Sequence, residues 1–300
     1  MSHPSSDALI DTARLHAWLG RPDLVLFDSS TDIVLGADGH EVITPQREAF
    51  REAHIPGARF LDVQAELSEP GARYPFSAPS AQVLQASLRR LGVRADHTIV
   101  VYSTGNPWWA SRVWWLLRGH GLARVHVLDG GLAAWKRAGL PLESGEAAPW
   151  APGTLTLDDQ RPAVVDADTL RARLDDPALR LVNALSPDKF DGRTPVHGGR
   201  PGHIPGSINL PAASLLDPAT GCLLPAELLR PRLADAGLLA PGTELVAYCG
   251  GGISATLVLL ALAQVGRSDT SLYDASMYEW GHRADLPIAT GPGAAKAQLP

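Results

Sequence analysis

Short apolar runs separated by longer amphipathic segments recur along the whole chain. The runs are rich in valine and leucine, which is typical of strands that are buried on both faces of a sheet. They occupy residues 24–27, 98–102, 125–128, 179–182, 244–248 and 271–273. Helical segments are predicted at residues 80–91, 110–118 and 254–265. Strands that alternate with helices predict an α/β fold, in which each mainly parallel sheet is flanked by helices.

The same motifs occur twice along the chain, in the same order. His-Ile-Pro-Gly starts at His54 and again at His203. A Val-x-Tyr strand then ends just before Ser103 in the first half and just before Cys249 in the second. An aspartate followed by a tryptophan completes the series in both halves at similar spacing. Ordered matches of this kind predict two copies of one fold.

Length and composition agree with a two-domain chain. The 300 residues are 45% hydrophobic, which is enough apolar material for two cores. The repeat predicts one domain over residues 8–143 and another over residues 162–290. Residues 144–161 are rich in proline, glycine and alanine and lack helical periodicity, as expected of a linker.

Charge and cysteine content limit the ligands that the protein is expected to bind and the compartment in which it is expected to work. The net charge of −6 argues against nucleic-acid binding, so an anionic substrate would need a local positive site. Two cysteines in a chain of this length are typical of a reducing compartment and offer no zinc-site spacing. The N-terminus has no secretory pattern, and no apolar stretch is long enough to span a membrane. We therefore expect a cytoplasmic protein without a membrane partner.

The segment around Cys249 carries the strongest chemical signal. Between a predicted strand and a predicted helix lie Cys249, Gly250, Gly251, Gly252, Ile253 and Ser254. The three glycines permit backbone angles closed to other residues, so several amide groups can turn toward one point. Such a nest at a helix N-terminus binds anions and stabilises a thiolate, which is then nucleophilic at neutral pH. We predict that Cys249 is catalytic and that the loop after it binds the substrate.

Two other interpretations of this loop stay open at this point. Free cysteine is most often a buried structural thiol. The spacing of Gly250, Gly252 and Ala255 also fits the G-x-G-x-x-A pattern of dinucleotide-binding loops. That pattern does not explain a cysteine at the strand end. A cysteine phosphatase is rejected, because it would need arginine where Ala255 stands, and Cys222 lies in a predicted turn with no comparable setting.

These motifs resemble the rhodanese superfamily, in particular its two-domain thiosulfate and 3-mercaptopyruvate sulfurtransferases. The resemblance rests on His-Ile-Pro-Gly in both halves and on the pairs Asp129 with Trp135 and Asp274 with Trp280. It implies an inactive rhodanese-like domain over residues 8–143, in which Ser103 replaces the cysteine. It also implies a catalytic one over residues 162–290, in which Cys249 carries sulfur as a persulfide. No metal or organic cofactor is implied.

The chain departs from the family pattern at two positions. Its loop resembles the Cys-Gly-Ser-Gly-Val-Thr-Ala of mercaptopyruvate enzymes more than the basic loop of thiosulfate enzymes. Gly251 stands where that family loop has a serine thought to assist proton transfer. Leu185 stands where the family has a substrate-binding arginine. Arg193 and Arg200 are the candidates to supply the missing charge, since a guanidinium binds a carboxylate well.

The expected function is sulfur transfer from a small anionic donor, 3-mercaptopyruvate or thiosulfate. The expected acceptor is a thiol, cyanide or a thioredoxin-like protein, in a double-displacement reaction. The departures at Gly251 and Leu185 favour one alternative, a catalytically weak rhodanese-like module that binds a partner or carries sulfur. A dinucleotide-binding oxidoreductase is the other alternative.

Overall fold

A computed structural model describes residues 8–35, 41–147 and 149–293 of the chain. The chain divides into two compact units. The N-terminal unit extends to Pro162 and also includes the later segment Pro218–Leu223. The C-terminal unit comprises Ala163–Asp217 and the chain from Leu224 onward. Within the described residues, no helix has the length and apolar character needed to cross a membrane.

The N-terminal unit is built on a five-stranded parallel sheet. Its strands are β1 (Leu9–Ile10), β2 (Leu24–Asp28), β5 (Ala58–Phe60), β6 (Thr98–Tyr102) and β7 (Val125–Leu128), in the order β1-β7-β6-β2-β5. A separate antiparallel hairpin pairs β3 (Thr31–Leu35) with β4 (Glu41–Pro45). The helices are α1 (Thr12–Trp18), α2 (Arg47–Glu52), α3 (Val63–Glu66), α4 (Ala81–Arg90), α5 (Trp108–Gly119) and α6 (Gly131–Arg137).

The C-terminal unit repeats this sheet with four parallel strands. They are β8 (Leu179–Asn183), β9 (Ile208–Asn209), β10 (Glu244–Tyr248) and β11 (Thr270–Leu272), in the order β11-β10-β8-β9. The helices are α7 (Ala167–Ala172), α8 (Pro187–Phe190), α9 (Ala226–Asp235), α10 (Ala255–Gln264) and α11 (Ser276–Trp280), with a 3-10 turn at Ala212–Leu215. The expected α/β fold with mainly parallel sheets is confirmed.

The helix α5 begins earlier than its apolar pattern indicates. The pattern predicts a start at residue 110, whereas the helix starts at Trp108, directly after Pro107. Proline has a fixed φ that suits the beginning of a helix. Trp109 is buried there against Phe76, with ring centroids 5.2 Å apart. The tryptophan therefore packs inside the N-terminal unit.

The two His-Ile-Pro-Gly motifs have the same structural role in their units. Each histidine stacks on a phenylalanine, His54 on Phe50 at 4.0 Å and His203 on Phe190 at 3.7 Å between centroids. Each also donates a 2.8 Å hydrogen bond from Nδ1 to the carbonyl of that phenylalanine. Burial lowers the pKa of His203. These histidines therefore brace a turn, as their position before the Pro-Gly pair indicates.

Two glycines of the N-terminal unit have a left-handed backbone conformation but differ in the space available for a side chain. Gly131 and Gly139 have φ values of +55° and +66°. A Cβ at Gly131 would lie 2.3 Å from the Ser103 carbonyl oxygen, whereas one at Gly139 would meet no described atom within 4 Å.

We expect Gly139→Ala to lower the unfolding free energy by about 1 kcal/mol. Gly131→Ala should lower it by about 2–4 kcal/mol, because overpacking adds to the backbone cost. Urea unfolding measures both losses, and equal losses would contradict the close approach at Gly131.

Candidate active site

Cys249 lies at the carboxyl end of β10, an inner strand of the C-terminal sheet. The strand pairs with β8 on one side and with β11 on the other. Residues 249–253 are buried and Cys249 itself is 2% exposed. The helix α10 begins at Ala255, so the loop connects a strand end to a helix N-terminus as predicted. Ligands of parallel α/β sheets bind at this edge.

The N-terminus of α11 fixes the orientation of the loop peptides. The amide of Met277 donates to the Cys249 carbonyl at 3.2 Å, and the amide of Tyr278 donates to the Gly250 carbonyl at 2.9 Å. The described chain contains no cis peptide bond. In a trans peptide the N–H points opposite to the C=O. The amides of Gly250 and Gly251 therefore point away from α11 and can donate on the opposite side of the loop.

Ser276 holds the cysteine's own amide and was not predicted from the sequence. Its Oγ accepts a 3.0 Å hydrogen bond from the Cys249 amide and donates one of 2.7 Å to the Tyr273 carbonyl. The residue is fully buried and has a left-handed φ of +51°. The corresponding position of the first repeat is Gly131, with a φ of +55°. Alignment of the two repeats at this position is the signal that could have found Ser276.

The three loop glycines are required for two different reasons, which corrects the expectation of a common backbone role. Of the three, Gly252 alone has a left-handed φ, +73°. Gly250 and Gly251 are needed for space. A Cβ at Gly250 would lie 2.3 Å from Nε2 of His197, and one at Gly251 would lie 2.7 Å from Cδ2 of Tyr278. Rings from outside the loop therefore occupy the volume that side chains at these positions would fill.

Tyr248, the residue before the cysteine, fixes the strand end and is not poised as a base. Its hydroxyl donates to Ser207 Oγ at 2.8 Å and accepts from the Ile204 amide at 3.0 Å. Burial raises the pKa of Tyr248 to about 12. The phenol therefore stays protonated at neutral pH and ties β10 to the His-Ile-Pro-Gly turn.

The remaining loop residues lead into α10. The Ile253 carbonyl accepts from the Thr256 amide at 3.0 Å and from Thr256 Oγ1 at 2.7 Å. Ser254 is half-buried and precedes the first helical residue, but its side chain makes no capping hydrogen bond. The helix start is thus stabilised by Thr256 within its first turn.

Arg193 and Arg200 have different surroundings. Arg200 donates from Nε to the Gly281 carbonyl at 3.2 Å and from Nη2 to the Trp280 and Leu286 carbonyls at 3.2 and 2.9 Å. Its guanidinium therefore holds the chain that follows α11. Arg193 is exposed and forms a 3.2 Å ion pair with Asp191. A role for either arginine toward the donor stays a prediction.

Leu185 follows β8, the strand that pairs with β10, and Cys222 belongs to the N-terminal unit. Leu185 is half-buried and packs against the hydrophobic core of the C-terminal unit. Its amide donates to Asn183 Oδ1 at 2.8 Å, so the backbone of this motif is held although the arginine is absent. Cys222 is half-buried in the Pro218–Leu223 segment of the N-terminal unit, and both cysteines are free thiols.

Comparisons with known proteins agree with this architecture. The model of the rhodanese-like domain matches residues 12–138 and 166–283. The chain is 36% identical over 295 residues to the probable 3-mercaptopyruvate sulfurtransferase of Pseudomonas aeruginosa, covering 96% of this chain and 99% of that protein. It is 34% identical over 258 residues to the putative thiosulfate sulfurtransferase SseB of Mycobacterium tuberculosis, covering 85% of this chain and 87% of that one.

A solved structure of the same family superposes on most of the chain. It is the 3-mercaptopyruvate sulfurtransferase SseA from Escherichia coli, with a TM-score of 0.78 and 29% identity, covering 89% of this chain and 98% of that one. Two matched domain segments and relatives above 30% identity over most of the chain exclude the dinucleotide-binding alternative. The chain belongs to the rhodanese-like family, as an enzyme of its two-domain sulfurtransferase class.

Proposed function

We propose that Cys249 takes a sulfur atom from 3-mercaptopyruvate and passes it, as a persulfide, to a thiol or to cyanide. The observation that carries this proposal is the position of Cys249 between a strand end and a helix N-terminus. The peptide groups after it are turned so that the Gly250 and Gly251 amides can serve an anion. A thiolate and a persulfide are both anions, so one site can stabilise the two forms between which the enzyme alternates.

The helix α10 adds to this stabilisation. It runs for ten residues from Ala255, and the N-terminus of a helix carries a partial positive charge of about half a unit. The Thr256 and Leu257 amides of its first turn donate to the Ile253 and Ser254 carbonyls, so α10 acts on a sulfur anion through its dipole and not through these amides. The dipole of α10 and the loop amides are therefore the groups that this proposal assigns to a sulfur anion at Cys249.

The sulfur transfer proceeds in two displacements. In the first, the Cys249 thiolate attacks the thiol sulfur of 3-mercaptopyruvate, and an S–S bond forms as the C–S bond breaks. The electron pair of that bond stays on carbon as an enolate, which takes up the thiol proton and leaves as pyruvate. In the second, an acceptor thiolate or cyanide attacks the outer sulfur and Cys249 departs as a thiolate. Both steps follow the general scheme of covalent catalysis.

The residues near the loop favour 3-mercaptopyruvate over thiosulfate. The two relatives are named for different donors, so the choice depends on this chain's own residues. Thiosulfate is a dianion, and the loop from Cys249 to Ala255 contains no cationic side chain to balance it. Arg200 directs its guanidinium to backbone carbonyls and Arg193 pairs with Asp191. A monoanionic keto acid carries less negative charge, so such a site needs less positive charge to bind it.

Intact mass spectrometry tests the persulfide on the whole chain. Incubation with 3-mercaptopyruvate is expected to add one sulfur atom to the protein, with a smaller gain from thiosulfate. The gain should vanish in Cys249→Ser, because the nucleophile is lost, and should persist in Cys222→Ser. Sulfur that stays after Cys249→Ser would contradict the assignment. No sulfur from either donor would favour a binding or carrier module instead.

A second prediction concerns the hydrogen bond that holds the Cys249 amide. Ser276→Ala leaves this buried N–H without its acceptor, so we expect the unfolding free energy to fall by about 1–3 kcal/mol. Persulfide formation should slow as the loop loses an anchor, which stopped-flow assays with 3-mercaptopyruvate measure.

Ser207→Ala is the matched control for Ser276→Ala. Ser207 is a buried serine of the same unit that also makes two hydrogen bonds, to the Ile204 carbonyl and with the Tyr248 hydroxyl. It should lower stability to a similar extent and leave the rate of persulfide formation nearly unchanged, because the Ile204 amide still holds the Tyr248 hydroxyl. Equal rates in the two variants would show that Ser276 has no special effect on the cysteine.

A further inference from the structure

We propose that the stacked rings of His197 and Tyr278 form the donor-binding wall of the Cys249 site and select a small planar keto acid. The inference rests on the proposed function and adds two residues to it. The two rings are parallel, with centroids 3.5 Å apart and an angle of 6° between their planes. They come from different segments, His197 from the loop after α8 and Tyr278 from α11.

The rings face the two residues that follow the nucleophile. The atoms nearest to a Cβ at Gly250 are all from the His197 ring, with Nε2 at 2.3 Å and Cδ2 and Cε1 at 3.3 Å. Those nearest to a Cβ at Gly251 are Cδ2 and Cε2 of Tyr278, at 2.7 and 2.8 Å. A nitrogen edge therefore points at the backbone of Gly250, and a phenol ring edge covers Gly251.

This placement decides which side chains lie against the loop after Cys249. A side chain at Gly250 or Gly251 would project in these directions and would line the surroundings of Cys249. The glycines carry no side chain, and their volume is filled from outside the loop. The imidazole of His197 and the phenol of Tyr278 therefore lie against the two residues that follow Cys249, and the proposal places the donor beside them.

The segment that carries His197 is fixed in an uncommon conformation. His197 has a left-handed φ of +51°, which few residues other than glycine adopt. Val196 before it is buried, and the Val196 carbonyl accepts from the Gly199 amide at 2.9 Å. The Arg200 amide donates to the Gly281 carbonyl at 3.0 Å, just beyond α11. The ring is thus held against the loop by its backbone as well as by the stack.

The chemistry of the pair suits a flat anion with hydrogen-bond acceptors. An imidazole N–H donates to a carboxylate or keto oxygen, and such a bond to a charged group is stronger than one between neutral groups. The two parallel rings are half-exposed and present a rigid edge, so they limit the thickness of a donor that reaches Cys249. A small 2-keto acid meets both conditions, whereas a tetrahedral anion such as thiosulfate fits a flat wall less well.

Steady-state kinetics of the full chain with 3-mercaptopyruvate and cyanide separate recognition from packing. His197→Phe keeps an aromatic ring on Tyr278 but removes the nitrogens. We expect its KM for 3-mercaptopyruvate to rise about tenfold to a hundredfold, the loss typical of one hydrogen bond to a charged group. The kcat should stay within about threefold. The melting temperature should change little, because the stack is preserved.

His282→Phe is the matched control for this experiment. His282 is an exposed histidine just after α11, and the atoms nearest to Gly250 and Gly251 belong to other residues. Its KM should stay within about twofold of the unchanged chain. A His197→Phe enzyme with unchanged KM would overturn the inference and leave the pair as packing. The proposed function fails separately, if the unaltered chain forms no persulfide with 3-mercaptopyruvate.

A double-mutant cycle tests the contact itself without any activity. Gly250→Ala places a methyl group against the His197 ring and should lower the melting temperature, while His197→Ala makes room for it. We expect the double variant to lose less stability than the two single losses added together, because contacting residues are not additive. Additive losses would show that the ring does not lie on Gly250 and would overturn the inference.

Discussion

The orientation of the peptide groups after Cys249 is the constraint on which the rest of the site depends. Two amides of α11 hold the carbonyls of Cys249 and Gly250 on one side, and planarity then sends the following N–H groups to the other side. The charge of a sulfur anion can be balanced by such oriented dipoles at no cost of reorganisation. The short helix α11 therefore matters to the chemistry through its first amides as well as through the Ser276 hydroxyl.

The first repeat shows what the same scaffold does without the cysteine. The amide of Leu132 donates to the Ser103 carbonyl at 3.3 Å, as the amide of Met277 does to that of Cys249. The hydroxyl of Ser103, however, donates within its own loop to the Asn106 carbonyl at 2.7 Å. The cavity beside it has a volume of about 50 Å³, room for little more than one water. The backbone frame is thus duplicated, whereas the reactive cysteine belongs to the second repeat.

The sequence predicted the features that depend on local pattern. The strand at 98–102, the strand at 244–248 and the helix after Cys249 follow from runs of apolar residues, and the structure has them within one or two residues of the predicted bounds. The structural histidines follow from the Pro-Gly turn after them. Ser276, His197 and Tyr278 did not emerge, because their contacts join segments that are distant along the chain. Their positions depend on left-handed angles and ring stacking, which leave no periodic trace in a sequence.

The glycine loop illustrates how far a motif can be interpreted without its surroundings. Three consecutive glycines indicate backbone freedom, yet only Gly252 uses it, and Gly250 and Gly251 are small because two rings lie against them. In such a loop the side chains that surround the backbone come from neighbouring segments. Its substrate specificity therefore cannot be inferred from the loop sequence alone. A serine at position 251 would therefore not restore the family pattern in this chain. Its Cβ would meet Tyr278 before its hydroxyl could reach a substrate, and any gain would first require that ring to move.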